Sequence, residues 1–259
     1  MKDPVKTLGS TWHLRDRLPC RWLRVDFQPR DTRLLKVMLE QKFLSWPQIV
    51  DYLFDGKGPY AYRRVWKLRR FGLVQKLLSS FTGSDLYLAT EAAHDLFHNQ
   101  YIELPESVGL PDLRTISHDL LVTDIRFLFE RIGFGSLWTS ERMWRMGRSV
   151  RLWAPDAVVQ VGEESFALEV ECVQKMDQRY NEIFSRYQED FEIAACLYVA
   201  EESLLTGLME RARDFPKIYF TSQADLFARR EKAAFKNSKG RFIALEDNLE
   251  KKPLPKESR

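Results

Sequence analysis

The segment RLWAPDAVVQVGEESFALEVECVQK, residues 151–175, decides the fold. It predicts a β-hairpin, because an apolar run that starts at Ala157 is followed by a turn at Gly162 and by a longer strand over residues 166–172. Successive side chains of a strand point to opposite faces of the sheet. One face of the second strand is therefore apolar and holds Phe166, Leu168, Val170 and Cys172.

The other face of this strand is acidic. It carries Glu169 and Glu171, and Asp156 starts the first strand, so pairing of the two strands can bring all three carboxylates together. Carboxylates at short range repel one another, and a hard cation that prefers oxygen ligands, Mg²⁺ or Mn²⁺, relieves the repulsion. The hairpin therefore predicts a metal site on Asp156 and Glu169. The alternative is that the acids line a solvated face.

The order of these residues resembles the PD-(D/E)xK signature of restriction-endonuclease-like nucleases. Pro-Asp is followed by a turn and by Glu on an apolar strand, although Glu171 stands where that family has its lysine. The resemblance implies a set of catalytic residues, which are Asp156, Glu169, Glu171 and Lys175. In this set Lys175 supplies the ammonium from four residues further on. The family also adds an acid from an upstream element, for which Glu141 is the candidate metal ligand and His118 a weaker one.

Composition bounds the class of protein. A chain of 259 residues with 44% hydrophobic and 13% aromatic residues is expected to fold into two modest domains. No apolar run reaches the roughly 20 residues of a membrane span, and the first residues do not have the apolar core of a signal peptide. These patterns predict a cytoplasmic protein without a membrane partner. The three cysteines contain no CxxC pair, which argues against a zinc knuckle and a disulfide framework.

Charge is distributed unevenly along the chain. Residues 1–100 hold 17 Lys and Arg against 10 Asp and Glu, residues 101–230 hold 15 against 22, and residues 231–259 hold 8 against 5. A basic first part and an acidic middle part are expected if the first binds a polyanion and the second binds cations.

The first part of the chain predicts a winged helix over residues 30–103, preceded by an N-terminal arm, residues 1–29. Helical periodicity begins at Asp31, resumes at Ser45 and again at Tyr60, and two short strands follow over residues 73–78 and 86–89. From Lys57 to Lys76 the sequence has seven basic residues and no acid, which favours binding to double-stranded DNA. The predicted DNA contacts are Tyr60, Arg63, Arg64, Lys67, Arg70 and Lys76. The alternative is an adaptor that docks proteins and has no affinity for DNA.

A linker, residues 104–115, separates this domain from a second one over residues 116–230. The second domain begins with a helix over residues 116–132, and helices and strands then alternate around the acidic hairpin. This order predicts an α+β arrangement, a mixed sheet flanked by helices, as in restriction-endonuclease-like domains. Residues 231–259 are expected to form a disordered basic tail with one short strand at residues 241–243.

Taken together, the chain resembles the bacterial replication-relaxation family and the related endonuclease-like relaxases of mobilisable plasmids over residues 31–220. The pieces that carry this resemblance are DTRLLKVML, VWKLRRFGLV, His118, SER, APD, LEVE and Arg179-Tyr180.

Membership of this family implies a DNA-binding protein of a plasmid or mobile element that acts in replication, nicking or relaxation. The chemistry is metal-dependent phosphodiester hydrolysis without a small-molecule cofactor. A single site predicts a nick, and cutting both strands would require a homodimer or two successive visits. A covalent relaxase would need a nucleophile such as Tyr180 or Tyr187, although both fit the helix core better. The alternative is a non-catalytic replication factor or transcriptional regulator with a degenerate nuclease domain.

Overall fold

The computed structural model describes residues 27–77, 83–146, 148 and 153–249. Residues 1–26 of the predicted arm, with Cys20, lie outside this part of the chain. The chain divides into two compact units, residues 1–120 and 121–259. Within the described ranges no helix is both long and apolar enough to cross a membrane.

The first unit contains helices and a small antiparallel sheet. Its elements are α1 (Pro29–Gln41), β1 (Leu44–Ser45), α2 (Trp46–Gln48, continued by a π-helical turn, Ile49–Leu53), α3 (Gly58–Arg70), β2 (Val74–Leu77), β3 (Leu86–Ala89) and α4 (Glu91–His98). The three strands lie in the order β1-β3-β2.

Local sequence explains where these helices begin and which faces they bury. The hydroxyl of Ser45 accepts a hydrogen bond from the backbone N–H of Gln48 and caps α2. Ala61, Val65 and Leu68 of α3 follow the spacing i, i+4, i+7 and are buried, as their periodicity predicts. The helix-helix-helix-hairpin order expected from the sequence is therefore present.

The second unit is built on one seven-stranded sheet. Its elements are α5 (Ile116–Ile132, which spans the boundary between the units), β4 (Leu137–Ser140), α6 (Glu141–Arg145), β5 (Ala157–Val161), β6 (Glu164–Glu171), α7 (Asp177–Glu189), β7 (Ala195–Ala200), α8 (Glu202–Arg211), β8 (Ile218–Ser222), α9 (Gln223–Arg229), β9 (Ala234–Lys236) and β10 (Phe242–Ala244). The strand order is β10-β9-β8-β7-β6-β5-β4. The pairs β6–β7 and β7–β8 are parallel and the others are antiparallel. The predicted mixed sheet with flanking helices is confirmed.

Each face of this sheet is covered by a separate core. On one face, Phe166, Leu168 and Val170 of β6 pack against residues of α5 and α9. On the other face, Ala167 of the same strand packs with residues of α7 and α8. The alternation predicted for β6 is confirmed, and both of its faces are buried.

The sheet extends further along the chain than the sequence suggests. Residues 231–259 were expected to form a disordered tail with one short strand at residues 241–243. β10 (Phe242–Ala244) confirms that strand, whereas β9 (Ala234–Lys236) forms where disorder was expected, and residues 250–259 lie outside the described residues. Phe235 and Leu245 are fully buried in the core that covers the α5 face. The side chain of Asn237 accepts two backbone hydrogen bonds in the turn between the strands. The basic residues of this segment are exposed: Lys232, Lys236, Lys239 and Arg241.

Candidate active site and nucleic-acid interface

Glu169 and Glu171 of β6 lie on the sheet face that α7 covers. Glu169 is 7% exposed and Glu171 is 4% exposed, whereas Glu163 in the hairpin turn is exposed. Acidic side chains are rarely this buried unless they are paired or bind a cation. The alternative that these acids line a solvated face is therefore wrong.

The hairpin register brings Asp156 opposite Glu169. Ala157, the first residue of β5, pairs with Leu168, so Asp156 just before β5 comes next to Glu169, which follows Leu168 in β6. The carboxylate of Asp156 also accepts a hydrogen bond of 2.8 Å from the backbone N–H of Val170, which fixes its position against β6. The two residues predicted to bind metal are thus neighbours across the strand pair.

Lys175 joins the same cluster from the loop after β6. Its Nζ lies 2.7 Å from a carboxylate oxygen of Glu171. Burial alone would lower the pKa of Lys175, but the bond to Glu171 and the charges of Glu171, Glu169 and Asp156 outweigh burial and raise the pKa. The four predicted catalytic residues therefore interact electrostatically, and Lys175 is held as an ammonium.

Glu169 is the most perturbed acid of this cluster. Burial raises its pKa well above the ordinary value of 4.5, and the nearby charge of Asp156 adds to the effect. The hydroxyl of Tyr187 donates a hydrogen bond to Oε1 of Glu169, which partly offsets this shift. Two carboxylates in one buried place favour either a proton or a cation between them.

This shift gives a prediction about stability and pH. Because the pKa of Glu169 is higher in the folded protein than in the unfolded chain, the stability that it contributes is complete below about pH 4.5 and is lost as pH rises through the folded value. Glu169→Gln, which keeps the acceptor for Tyr187, should gain stability relative to the wild type from pH 5 to pH 8 in the presence of a chelator. Thermal unfolding across this range measures the difference.

The matched control for this prediction is Glu163→Gln in the exposed turn. Its stability should follow the wild-type profile at every pH, because substitution of an exposed side chain in a turn changes stability little. Parallel profiles for Glu169→Gln and the wild type would contradict the raised pKa.

Glu141, the acid expected from an upstream element, lies at the start of a short helix. Ser140 ends β4 and caps α6 by accepting a hydrogen bond from the N–H of Met143, so Glu141 becomes the first residue of that helix. Its backbone N–H donates to the carbonyl oxygen of Asp156, while its carboxylate accepts a hydrogen bond from Arg145 at 3.0 Å. The described residues contain no group of three or more His, Cys, Asp or Glu arranged to hold a metal.

Other sequence candidates have structural roles. His118 lies 3.5 Å from Asp119 in the first turn of α5. Tyr180 and Tyr187 are fully buried in the core under α7, as their helical spacing predicts. Two tyrosine contacts near Glu169 could not be assigned from sequence: the bond from Tyr187, and the position of Tyr198 beside Glu169 in the parallel pair β6–β7. The Tyr198 hydroxyl is buried and has no hydrogen-bond partner among the described residues.

In the first unit, α3 presents part of the predicted DNA-binding set on its outer side. Arg63 and Arg70 are exposed and Lys67 is half-buried, and all three lie away from the buried residues Ala61 and Val65. Within the described ranges none of these three cations forms an ion pair. They are available to bind phosphate.

The other predicted DNA contacts are engaged within the unit. Arg64 is largely buried and donates two hydrogen bonds to the carboxylate of Asp31, one of them 3.1 Å long from Nε. The hydroxyl of Tyr60 donates to the side chain of Gln28. Nζ of Lys76 lies 2.6 Å from a carboxylate oxygen of Asp85. Arg64 and Tyr60 therefore connect α3 to the start of α1.

Two exposed aromatic residues of α3, Tyr62 and Trp66, were not among the contacts predicted from the sequence. Tyr62 is 61% exposed and Trp66 is 45% exposed, and the guanidinium of Arg70 lies 4.8 Å from the ring centre of Trp66. Their spacing could have indicated this exposure. Tyr62 and Trp66 are four residues apart, so they share one side of the helix, and they do not belong to the row of buried residues.

Comparison of the sequence and structure with known proteins identifies no relative of this chain. No protein-family model matches the chain, and searches of curated proteins and of solved structures give no significant match. Proposals about function therefore rest on the geometry of the two units and on the motifs of the sequence.

Proposed function

We propose that this protein is a metal-dependent DNA nuclease that nicks or relaxes DNA, with a winged helix before a restriction-endonuclease-like domain. The observation that carries the proposal is that Asp156, just before β5, lies close to Glu169 of β6, beside the ion pair of Lys175 with Glu171. Perturbed, buried ionisable groups that cluster in this way are typical of active sites.

The donor set suits a hard divalent cation. Asp156 and Glu169 would hold Mg²⁺ or Mn²⁺, because a cation would relieve the repulsion between these neighbouring carboxylates. When bound, the cation activates water and neutralises charge on the scissile phosphate. The hydroxyl of Tyr187 holds one oxygen of Glu169, and the ammonium of Lys175 offers positive charge to the phosphate in the transition state.

The first unit supports the DNA-binding half of the proposal. Its three helices followed by a hairpin are in the order expected of a winged helix, and its third helix bears the outward cations Arg63, Lys67 and Arg70. The sequence motifs that resemble those of the replication-relaxation family favour a role in replication or mobilisation of a plasmid or other mobile element. Double-stranded DNA in the cytoplasm is the partner this proposal requires.

Arg63→Ala tests the DNA interface by its salt dependence. Loss of one phosphate contact should weaken duplex binding and reduce the slope of log affinity against log salt concentration by about 0.9. Fluorescence anisotropy with a labelled duplex at several salt concentrations measures both quantities. Arg213→Ala, which removes an exposed arginine from the second unit, should leave the slope of the wild type unchanged.

The nuclease function is tested by incubating the protein with supercoiled plasmid and Mg²⁺ or Mn²⁺. Open circles that require the metal would support the proposal. Supercoiled DNA that persists despite a normal band shift would support the second candidate, and absence of any band shift at low salt would support an adaptor that docks proteins.

The second candidate function is a non-catalytic DNA-binding replication factor or transcriptional regulator with a degenerate nuclease domain. The observation that favours it is the direct ion pair between Lys175 and Glu171, the acid at the position of the family's lysine. An ammonium neutralised in this way attracts a phosphate less strongly. Mn²⁺ binding separates the candidates, since an active site should bind the ion and lose it in Asp156→Ala.

A further inference from the structure

The outer side of α3 combines exposed aromatic rings with cations. We define the aromatic–basic face as Tyr62, Arg63, Trp66, Lys67 and Arg70. Tyr62 and Trp66 lie one helical turn apart, and both keep about half or more of their surface exposed. Large aromatic residues are usually buried, so two of them on the exposed side of one helix indicate a binding surface.

The aromatic residues continue beyond α3. The ring of Tyr62 contacts Trp46 edge-on at 6.4 Å between ring centres, and Trp46 contacts Tyr87 of β3 at 5.6 Å. The flanking segment from Lys57 to Lys76 has no acidic residue. The surface is therefore complementary to a ligand that carries both negative charge and flat apolar rings.

Unpaired nucleic acid has this chemistry, whereas a duplex presents it only in part. In a duplex the faces of the bases are covered by their neighbours, and proteins contact mainly phosphates and base edges. In a single strand each base offers a free face on which an aromatic side chain can stack, while the backbone still attracts cations.

We propose that the aromatic–basic face binds unpaired nucleotides, with a base stacked on Trp66 and phosphates held by Arg63 and Arg70. This inference rests on the proposed DNA-binding function and adds unpaired nucleotides to the duplex as a second form of DNA that α3 binds. Tyr62 provides the next ring along the strand. Binding a locally melted strand suits a protein that acts on supercoiled DNA, where unpaired segments form most readily.

The test compares three labelled DNAs of equal length with the full chain by fluorescence anisotropy at low salt. They are a single strand, the same strand with abasic sites in its centre, and a duplex. The wild type should bind the intact strand about tenfold or more tightly than the abasic one, because stacking is lost while the phosphates remain. Trp66→Ala should lose this preference and bind the duplex and the abasic strand as the wild type does.

Matched variants separate stacking from charge and from misfolding. Trp66→Phe should keep most of the preference, and Arg63→Ala should weaken binding to all three DNAs alike. Phe191→Ala removes a fully exposed ring from the second unit and should change nothing. Circular dichroism checks that Trp66→Ala is folded, as expected for a substitution of an exposed residue.

Two results would overturn the inference. Equal wild-type affinity for the intact and abasic strands, or an equal loss on all three DNAs in Trp66→Ala, would show that no base stacks on this residue. Duplex binding would in that case leave the proposed DNA-binding function standing. Absence of binding to every DNA would overturn both.

Discussion

Asp156→Asn is expected to lower the rate of plasmid nicking roughly 10³-fold, because a metal contributes several kcal/mol to stabilising the transition state of phosphoryl transfer. The substitution removes the charge of Asp156 but keeps an oxygen that can accept the hydrogen bond from the N–H of Val170. The hairpin should therefore remain folded. Densitometry of open circles against time, with saturating Mn²⁺, measures the rate.

The control for this loss lies on the same hairpin. Glu163→Gln also removes one carboxylate, but from the exposed turn, so its nicking rate should equal that of the wild type. An Asp156→Asn protein that nicks as fast as the wild type would place the chemistry elsewhere. A band-shift assay checks that the Asp156→Asn protein still binds DNA. Loss of DNA binding in this variant would indicate that it is misfolded.

The second large effect concerns the stability of the first unit. Asp31→Ala should reduce the free energy of unfolding by about 3–5 kcal/mol, the usual result of removing one partner of a buried ion pair. Asp31 is fully buried, and its carboxylate accepts hydrogen bonds from Arg64 and from the backbone N–H of Gln28. Urea denaturation followed by tryptophan fluorescence measures the change.

A matched pair on the surface sets the baseline. Arg30 and Asp55 form an ion pair 3.1 Å long between exposed side chains, and Asp55→Ala should cost no more than about 1 kcal/mol. The double variant Asp31→Ala/Arg64→Met should be more stable than Asp31→Ala alone, because it no longer buries a guanidinium beside a missing carboxylate. Equal destabilisation by Asp31→Ala and Asp55→Ala would contradict the structural role of the buried pair.

The sequence was most informative where one periodicity extends over a whole element. The helix over residues 116–132 was predicted with the bounds the structure has, because it carries an apolar stripe of helical spacing. The alternation in β6 likewise separated Leu168 and Val170 from Glu169 and Glu171. Short segments such as β9, which is only three residues long, give too little pattern to recognise.

Contacts between side chains on separate elements could not be predicted from the sequence. The segment around Arg64 looked uniformly basic, but only the fold shows that this arginine meets Asp31, 33 residues earlier in the chain. The bond from Tyr187 to Glu169 has the same origin, since α7 must first fold across the sheet. The exposure of Trp66 depends in turn on which face of α3 is covered. Charge and periodicity describe one element at a time and do not contain such partners.

The two-residue connection between β5 and β6 limits how the length of this chain can change during evolution. Surface turns normally tolerate the loss or gain of residues. Val161 pairs directly with Glu164 across this turn, so a deletion can be absorbed only by sliding one strand past the other by a residue. Such a slip would turn Glu169 and Glu171 into the aliphatic core and would expel Leu168 from it. The acids are thus maintained by the length of a turn to which neither of them belongs.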